Sequence, residues 1–413
     1  MDRGSGRTVS ALVTVGDRRL GAVGPFPVDS PWWADVEPVV AHLEPALGVP
    51  VTVLRLLDVD GGEGARDGHV TYHVEALGPP RHDLPSPWPD GSGDLTGPSA
   101  RRAAWATASG VREALDWADS ALRASGRPPS GPAGQVRTWN LSGLFRLPTS
   151  RGPAWLKITP GFATREARVI ETFAQVDPDS VPAVLAADPA HRRVLLEHVP
   201  GADCWDASED VIGGAVRRLV AAQAALAEQG EGVPDGLPDR RPRVLAGMVD
   251  ELLDGEVAGE LSADELSSAR RLAGRLPMLV SSLEACGLPY TVVHGDFHPG
   301  NVRSDGRRTV MVDFADSHFG HPVLDGLRMR DFVHGGERSA RVARVWAEAW
   351  SARVPGSDPA RALALAEPLA HLAYAVRYQE FLDNIEPSER RYHAGDPASE
   401  VRAALECVRP SAF

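Results

Sequence analysis

The densest group of residues that could do chemistry is HGDFHPGN, residues 294–301, which directly follows an apolar run. His294, Asp296 and Asn301 fit the spacing H-x-D-x-x-x-x-N. At this spacing an aspartate can accept or orient the proton of an attacking hydroxyl, and the asparagine can turn back to bind Mg²⁺. A proline and a glycine before the asparagine interrupt regular structure, so the side chains can converge. The pattern predicts phosphoryl transfer, with the two histidines as supports of the loop.

A second metal ligand is predicted in VMVDFADS, where Asp313 follows an apolar strand. A hairpin that turns through SDGR, residues 304–307, would bring Asn301 and Asp313 side by side. Amide and carboxylate oxygens are suitable ligands for a Mg²⁺ ion that bridges phosphates. Phe314 follows as in a D-F-G segment, with alanine at the third position. Asp325 is expected either to cap the next helix or to tie it to the histidine-containing loop.

The composition draws attention to one basic residue. Of the 43 lysine and arginine residues, only Lys157 is lysine. A bias that has turned generic basic positions into arginine predicts that the surviving lysine stands where a compact ammonium group is needed. Lys157 lies in the strand-like WLKI, and phosphoryl transfer requires a lysine that contacts the nucleotide phosphates. Glu166, at the following helix, is its expected partner, and Glu171 is the alternative.

Two further stretches are candidates for nucleotide binding. VLLEHVPG is a strand that runs into a breaker, and its backbone at Glu197, His198 and Val199 is expected to hydrogen-bond the base. WNLSGLFRL has strand–turn–strand character, and Asn140 and Ser142 are expected to cover the phosphates. The sequence contains no G-x-G-x-x-G.

The chain divides into four ranges by pattern. Residues 1–80 alternate strand-like and helix-like segments, which predicts a small α+β domain, including a helix capped by Ser30. Residues 81–134 hold a linker rich in Pro, Gly and Ser and one helix. Residues 135–203 are mainly strand-like, and residues 204–413 are mainly helical.

The set Lys157, Glu166, LLEHVPG, HGDFHPGN and VDFAD resembles the aminoglycoside phosphotransferase family, which is similar to choline kinases and to actinobacterial maltose and glucosamine kinases. The resemblance implies an α+β, protein-kinase-like, two-lobed fold with a β-rich N-lobe and a mainly helical C-lobe. The N-terminal α+β domain is extra to this pattern and is similar to the cap of some of these sugar kinases.

The resemblance also implies a chemistry. ATP or GTP would donate a phosphate to a hydroxyl of a small molecule, with Mg²⁺ as the metal. Asp296 matches the catalytic aspartate, Asn301 and Asp313 match the metal ligands, and Lys157 with Glu166 matches the ion pair. The acceptor could be aminoglycoside-like, another natural product, or a sugar or amino sugar.

Other functions remain open at this point. One is a peptide or protein kinase, although no A-P-E segment follows Asp313. Another is a catalytically silent binding protein with this fold. GDFHPGN is also similar to the G-D-x-H-G element of dinuclear-metal phosphoesterases, but no later G-N-H-type segment is found. A zinc site at His294, Asp296 and His298 fits less well, because oxygen ligands favour Mg²⁺.

The net charge and the distribution of apolar residues limit the classes of binding partner. A formal net charge of −13 disfavours nucleic-acid binding, which relies on basic surface. The polar N-terminus and the lack of an apolar run of about 20 residues predict a cytoplasmic protein without membrane contact. The oligomeric state stays open.

A cationic acceptor also stays open. Four carboxylates are candidates to line a pocket for ammonium groups, although a solvated helix face also explains the three that lie between residues 380 and 386. They are Asp316, Glu380, Asp383 and Glu386.

Overall fold

A computed structural model describes residues 6–16, 18–88, 97, 99–230 and 232–408. Part of the predicted linker, residues 89–96 and 98, lies outside the described residues. The chain forms two compact units. Unit 1 comprises Met1–Phe162, Leu185–His198 and Phe381–Ala394, and unit 2 comprises Ala163–Val184, Val199–Glu380 and Gly395–Phe413.

The first sheet of unit 1 has four strands in the order β2-β1-β4-β3, with β1 and β4 parallel and the other pairs antiparallel. Helix α1 covers one face, where Leu43 and Leu47 pack with Val53 and Tyr72 in a buried core. The apolar side chains alternate along β4, so the opposite face of this strand carries different residues. The elements are β1 (Arg7–Val15), β2 (Arg18–Val28), α1 (Glu37–Leu47), β3 (Val51–Asp60) and β4 (His69–Ala76).

The predicted start of α1 is wrong. The helix begins at Glu37 rather than just after Ser30, and no side chain caps it. The backbone N–H of Trp33 instead donates to the Ala65 carbonyl at 2.9 Å. The segment before the helix therefore pairs its backbone with another part of the sheet region.

The second sheet of unit 1 has the order β5-β6-β7-β9-β8. Its core contains Trp105, Phe145, Leu156 and Leu195, together with apolar side chains of α2. The N-cap of α2 is Thr107, whose hydroxyl accepts from the Gly110 N–H. The elements are α2 (Ala108–Ala124), β5 (Gly134–Trp139), β6 (Ser142–Leu147), β7 (Ala154–Ile158), β8 (Val184–Asp188) and β9 (Arg193–Glu197).

The two sheets of unit 1 are joined by direct hydrogen bonds. The Gln135 amide of β5 accepts from the Val53 N–H at 2.9 Å and donates to the Val53 carbonyl at 2.7 Å. The Thr138 N–H donates to the Ala34 carbonyl at 3.0 Å, and Leu54 of β3 packs in the second core. Residues 1–80 are thus part of a larger compact unit, which groups the chain differently from the four ranges read from the sequence.

Unit 2 is mainly helical, as the sequence predicts, with two small sheets in the orders β10-β12-β13 and β11-β14. The helices are α3 (Glu166–Val176), α4 (Glu209–Ala227), α5 (Pro242–Asp254), α6 (Ala263–Ala273), α7 (Leu276–Glu284), α8 (Val323–Phe332), α9 (Gly336–Arg353), α10 (Pro359–Asn384) and α11 (Asp396–Cys407). The strands are β10 (Ala202–Asp203), β11 (Thr291–Val293), β12 (Val302–Ser304), β13 (Thr309–Met311) and β14 (His318–Gly320). Within the described ranges, no helix is both long enough and apolar enough to cross a membrane.

Candidate active site

The candidate catalytic loop, residues 294–301 and below called the catalytic loop for short, begins where β11 ends, and a buried carboxylate holds its first backbone N–H groups. Asp325 of α8 accepts from the His294 N–H at 2.8 Å and from the Gly295 N–H at 3.0 Å. Gln223 of α4 donates to the same carboxylate at 2.7 Å. Burial raises the pKa of Asp325 to about 7, against the effect of these donors. Asp325 therefore ties α8 to the loop, the second of the two roles predicted for it.

His294 is a buried support of the loop. Its Nε2 lies 3.1 Å from the Val312 carbonyl oxygen, and its Nδ1 accepts from the Asp296 N–H at 3.4 Å. Burial lowers the pKa of His294 to about 4, so the ring is neutral near pH 7. Gly295, between His294 and Asp296, has a φ of 88°, and a Cβ there would lie 2.1 Å from the Asp316 carbonyl oxygen. Only glycine fits this turn.

The carboxylate of Asp296 is held at both oxygens. Arg328 donates to Oδ1 from Nε at 2.9 Å and from Nη2 at 2.7 Å. Asn301 Nδ2 donates to Oδ2 at 2.9 Å, and His298 Nε2 lies 3.3 Å from the same atom. Burial by itself raises the pKa of Asp296, but Arg328 and His298 hold it well below its usual range. Asp296 is an ionised group in a fixed orientation.

Arg328 is the partner of Asp296 that the sequence did not reveal. Its guanidinium carbon lies 4.1 Å from the ring centroid of Phe332 and 4.5 Å from that of Tyr374, which stabilises the charge between two aromatic faces. Burial disfavours the charge, but Asp296 beside it raises the pKa of Arg328 further above its usual value. The only sequence signal is its position one helical turn after Asp325.

Asn301 presents its amide in one orientation. Its Nδ2 donates to the backbone carbonyl and to the Oδ2 of Asp296, both at 2.9 Å. The amide oxygen accepts no hydrogen bond from the residues that the structure describes. This orientation leaves the oxygen, the atom suited to a hard cation, on the side away from Asp296.

The predicted hairpin is confirmed. Strands β12 and β13 are antiparallel, with Val302 opposite Met311. The Val312 N–H then donates to the Asn301 carbonyl at 2.9 Å. The hairpin thereby brings the backbone of Asn301 to the residue that immediately precedes Asp313.

Asp313 has an exposed side chain and a left-handed backbone with φ of 66°, a conformation that aspartate tolerates better than most residues. The next residue, Phe314, donates its N–H to Glu166 Oε1 at 3.1 Å. Glu166 is 4% exposed and starts α3. The predicted partner of Lys157 thus lies against the D-F-A segment of unit 2.

The donor set at Asn301 and Asp313 fits Mg²⁺, which takes oxygen ligands and usually only one or two carboxylates from a protein. Among the described residues, no three His, Cys, Asp or Glu side chains are grouped to hold a metal by themselves. A magnesium ion here would take its remaining ligands from water and phosphate oxygens.

Lys157 lies on β7 in unit 1, opposite Leu144 of β6 and Val194 of β9. It is 7% exposed, unusual for a lysine. Its ion pair with Glu166 remains a prediction.

The loop expected to cover the phosphates is a two-residue turn between β5 and β6. Asn140 is 2% exposed, and neither of its amide atoms has a hydrogen-bond partner among the described residues. Ser142 Oγ accepts from Trp139 Nε1 at 3.0 Å. Gly143 is explained by packing, because a Cβ would lie 2.8 Å from the Trp105 ring. The amide of Asn140 is thus left without a partner by the described residues, and its role in covering the phosphates stays a prediction.

The residues expected to bind the base lie at the end of β9. Glu197 accepts from Arg127 Nη2 at 2.6 Å, and Trp155 Nε1 lies 3.1 Å from His198 Nδ1. In unit 2 the Val199 carbonyl accepts from Arg303 Nε at 3.2 Å. The strand is present as predicted, and its role in base binding stays a prediction.

The carboxylates considered for a cationic acceptor are mostly paired within the protein. In unit 2, Arg377 donates to Asp316 Oδ1 at 3.0 and 2.5 Å and to Glu380 Oε2 at 2.6 Å. Arg240 Nη2 reaches the same atom of Glu380 at 2.5 Å. These two carboxylates are neutralised by neighbouring guanidinium groups, which makes them poor sites for an ammonium group.

Glu386 of unit 1 is also paired. Arg102 donates to Glu386 Oε1 from Nε at 3.1 Å and from Nη2 at 3.0 Å, and Arg55 Nε lies 3.6 Å from Oε2. Glu386 is 6% exposed, whereas Asp383 is exposed. The solvated-face alternative is therefore wrong for Glu386, which belongs to a buried ion-pair cluster.

The chain matches the phosphotransferase enzyme family (APH) over residues 143–365, more than half of its length. The chain belongs to this family. The matched range contains Lys157, Asp296, Asn301 and Asp313, while the first sheet lies outside it.

Solved structures agree on the fold. Choline kinase LicA from Streptococcus pneumoniae has a TM-score of 0.52 at 12% identity, over 72% of this chain and 99% of that chain. A choline kinase from Cryptosporidium parvum Iowa II has a TM-score of 0.50 at 9% identity, over 71% and 96%. A choline/ethanolamine kinase family protein from Mesorhizobium loti has a TM-score of 0.48 at 21% identity, over 71% and 99%. The first two confirm the α+β, kinase-like fold with an extra N-terminal region. Comparison with curated proteins finds no match.

Proposed function

We propose that this protein transfers the γ-phosphate of ATP or GTP to a hydroxyl of a small molecule, with Mg²⁺. The observation that carries the proposal is the fixed, ionised carboxylate of Asp296 beside Asn301, joined by one hairpin to Asp313. The acceptor oxygen forms a bond to the γ-phosphorus, and its proton passes to the Asp296 carboxylate late in the transfer. The bridging P–O bond breaks, and the nucleoside diphosphate leaves.

Asp296 orients the acceptor hydroxyl in this reaction. A carboxylate whose pKa is held well below its usual range is a weak base, so its main contribution is position rather than early proton removal. This suits phosphoryl transfer, in which the protein works mostly by positioning and electrostatics. Asn301 and Arg328 prevent the carboxylate from rotating.

Asn301 and Asp313 are the proposed ligands of the magnesium ion. When bound, the metal neutralises charge on the β- and γ-phosphates. Lys157 is the proposed phosphate contact, with Glu166 as its carboxylate partner. Asn140 and Ser142 are proposed to approach the phosphates, and the backbone of Glu197, His198 and Val199 to bind the base.

The acceptor is proposed to be a neutral ring compound such as a sugar or a hydroxylated natural product. Beside Asp296, the ring of His298 stacks with Trp205 at 5.2 Å and with Phe332 at 5.1 Å between centroids, and Trp205 also stacks with the exposed His334 at 6.4 Å. Sites for small molecules are commonly lined by aromatic side chains. The paired carboxylates described above argue against a polycation.

The test is a ³¹P NMR assay of phosphorylated product with ATP and GTP against sugars, aminoglycosides, other hydroxylated natural products and hydroxyl-bearing peptides. With the acceptor found, Asp296→Asn should lower kcat by at least about 10³-fold, or about 4 kcal/mol, and leave the nucleotide Kd within a few-fold. Asp210→Asn is the matched control, since Asp210 is 89% exposed on α4, and it should be unchanged. Full turnover by Asp296→Asn would refute the mechanism, and phosphorylation of peptides alone would refute the acceptor class.

A further inference from the structure

A cavity in unit 1 is lined by residues that take no part in the proposed reaction. It has a volume of about 680 Å³, within the range of sites that hold drug-sized molecules. One wall is the face of the first sheet opposite to α1, and the other is α2 with the segment before it. Its apolar lining includes Leu54, Ala106, Val111 and Leu115.

The polar part of the lining is a buried relay on β1 and β4. Thr14 Oγ donates to Glu75 Oε2 at 2.7 Å and lies 2.9 Å from His73 Nε2. Glu75 Oε1 accepts from the Gly16 N–H at 2.6 Å. Because the Thr14 proton is used on the carboxylate, Thr14 must accept from His73, which assigns the imidazole proton to Nε2.

This assignment leaves His73 Nδ1 as a bare acceptor. His73 is 3% exposed, and Nδ1 has no hydrogen-bond partner among the residues described by the structure. Burial, together with the charges of Arg55 and Arg102, lowers the pKa of His73 to about 3. The ring therefore stays neutral at physiological pH, and since no described residue donates to Nδ1, this atom can accept from an N–H or O–H of a ligand.

The charges around the cavity are balanced. Arg55 and Arg102 are buried or half-buried beside Glu386, and Glu75 is the second buried carboxylate of the group. Arg112 and Asp116 also line the cavity, so three guanidinium groups are matched by three carboxylates once Glu386 is counted with its partners Arg55 and Arg102. A charged ligand would meet an uncompensated group of its own sign, whereas a neutral one would not.

We propose that this cavity is a binding site for a neutral, hydroxyl-bearing organic molecule with an apolar portion. A hydroxyl donates to His73 Nδ1, and the apolar portion covers Leu54, Val111 and Leu115 and displaces water from them. The site is separate in its residues from the proposed phosphotransferase residues. A failure to bind here would therefore not contradict the proposed function, and a failure of the proposed function would not contradict binding here.

The experiment uses the full chain and octyl β-D-glucoside below its micelle-forming concentration, followed by calorimetry and by ¹⁵N NMR of labelled histidine. The expected result is saturable binding that shifts the Nδ1 resonance of His73. The tetra-O-methyl derivative keeps the tail and the lack of charge but has no O–H to donate, so it should bind at least tenfold more weakly. Octyltrimethylammonium, with the same tail and a positive charge, should also bind at least tenfold more weakly.

Two variants locate the site. His73→Phe removes the acceptor and should weaken octyl glucoside binding at least tenfold, while Leu115→Trp should fill the cavity and abolish binding. His191→Phe is the matched control, because His191 is an exposed histidine of the same unit that does not line the cavity. Phosphotransfer by all three should equal that of the wild type.

Several results would overturn the proposal. These are no saturable binding to the wild type, equal binding of the methylated probe, or binding that survives Leu115→Trp. If His73→Phe fails to fold, the comparison of the two glucosides on the wild type decides the question.

Discussion

The catalytic loop of unit 2 differs from two polar side chains of unit 1, Asn140 and His73. The difference is whether their buried nitrogen and oxygen atoms have hydrogen-bond partners. In residues 294–301, all of which the structure describes, no buried side-chain nitrogen or oxygen lacks a partner. In unit 1, both amide atoms of Asn140 and the Nδ1 of His73 are buried without a partner among the described residues. An unsatisfied buried polar atom costs roughly 1–3 kcal/mol. The loop of residues 294–301 thus holds its buried polar side-chain atoms without a ligand, whereas Asn140 and His73 are the residues that we propose to bind one.

The largest expected effect comes from breaking the support of the loop. Asp325→Ala would remove the acceptor of three buried or half-buried N–H groups, two from the loop backbone and one from Gln223. Each costs roughly 1–3 kcal/mol, so the free energy of unfolding should fall by about 4 kcal/mol or more in urea titrations. Asp305→Ala is the control, since Asp305 also accepts from two backbone N–H groups but is exposed, and water can replace it. Equal losses for both would show that the loop does not depend on Asp325.

A smaller effect is expected at Asp296, the proposed catalytic carboxylate. Arg328→Gln should lower kcat by about 30-fold, or about 2 kcal/mol, because Asp296 loses a charged double contact. Without this cation, burial dominates and the pKa of Asp296 rises. On the acid side, the variant should therefore lose activity at a higher pH than the wild type does.

The control for this prediction is Arg330→Gln on the same helix, whose partners are Asp331 and Glu367. It should keep the wild-type pH profile. A purely structural role for Arg328 predicts lower stability with an unchanged acid limb of kcat/KM, which would contradict the positioning role.

The smallest expected effect is a change in the free energy of unfolding, and its sign tests the contrast between amides with and without hydrogen-bond partners. Asn140→Leu removes two unsatisfied atoms and should raise the free energy of unfolding by about 1 kcal/mol, while the KM for the nucleotide rises. Gln135→Leu in the same sheet removes an amide that bonds Val53 twice, and it should lower stability by about 2 kcal/mol. If both substitutions change stability in the same direction, the contrast between satisfied and unsatisfied amides is wrong.

Local pattern was enough to predict the β12–β13 hairpin, while the catalytic role of residues 294–301 stays a prediction. Asn301 and Asp313 are close in sequence, and a turn between two short apolar strands fixes their relation. The start of α1 was not predictable in this way, because the backbone near Trp33 pairs with a segment around Ala65 that is distant in sequence.

Ion pairs between residues far apart in sequence were likewise not predictable from local pattern. Glu386 is paired with Arg102, 284 positions away, and Asp316 with Arg377, 61 positions away. Arg328 was missed for another reason: since nearly every basic residue is arginine, its type carries no information, whereas the single lysine stands out.

The β12–β13 hairpin has a practical consequence for engineering. Its strand register and the Val312–Asn301 hydrogen bond fix the spacing of the two proposed metal ligands on one side of the turn. The turn itself, residues 305–308, is exposed. Extra residues inserted there would lengthen the tip without changing the register below it, so this turn is a suitable place for a peptide tag or a fluorescent reporter.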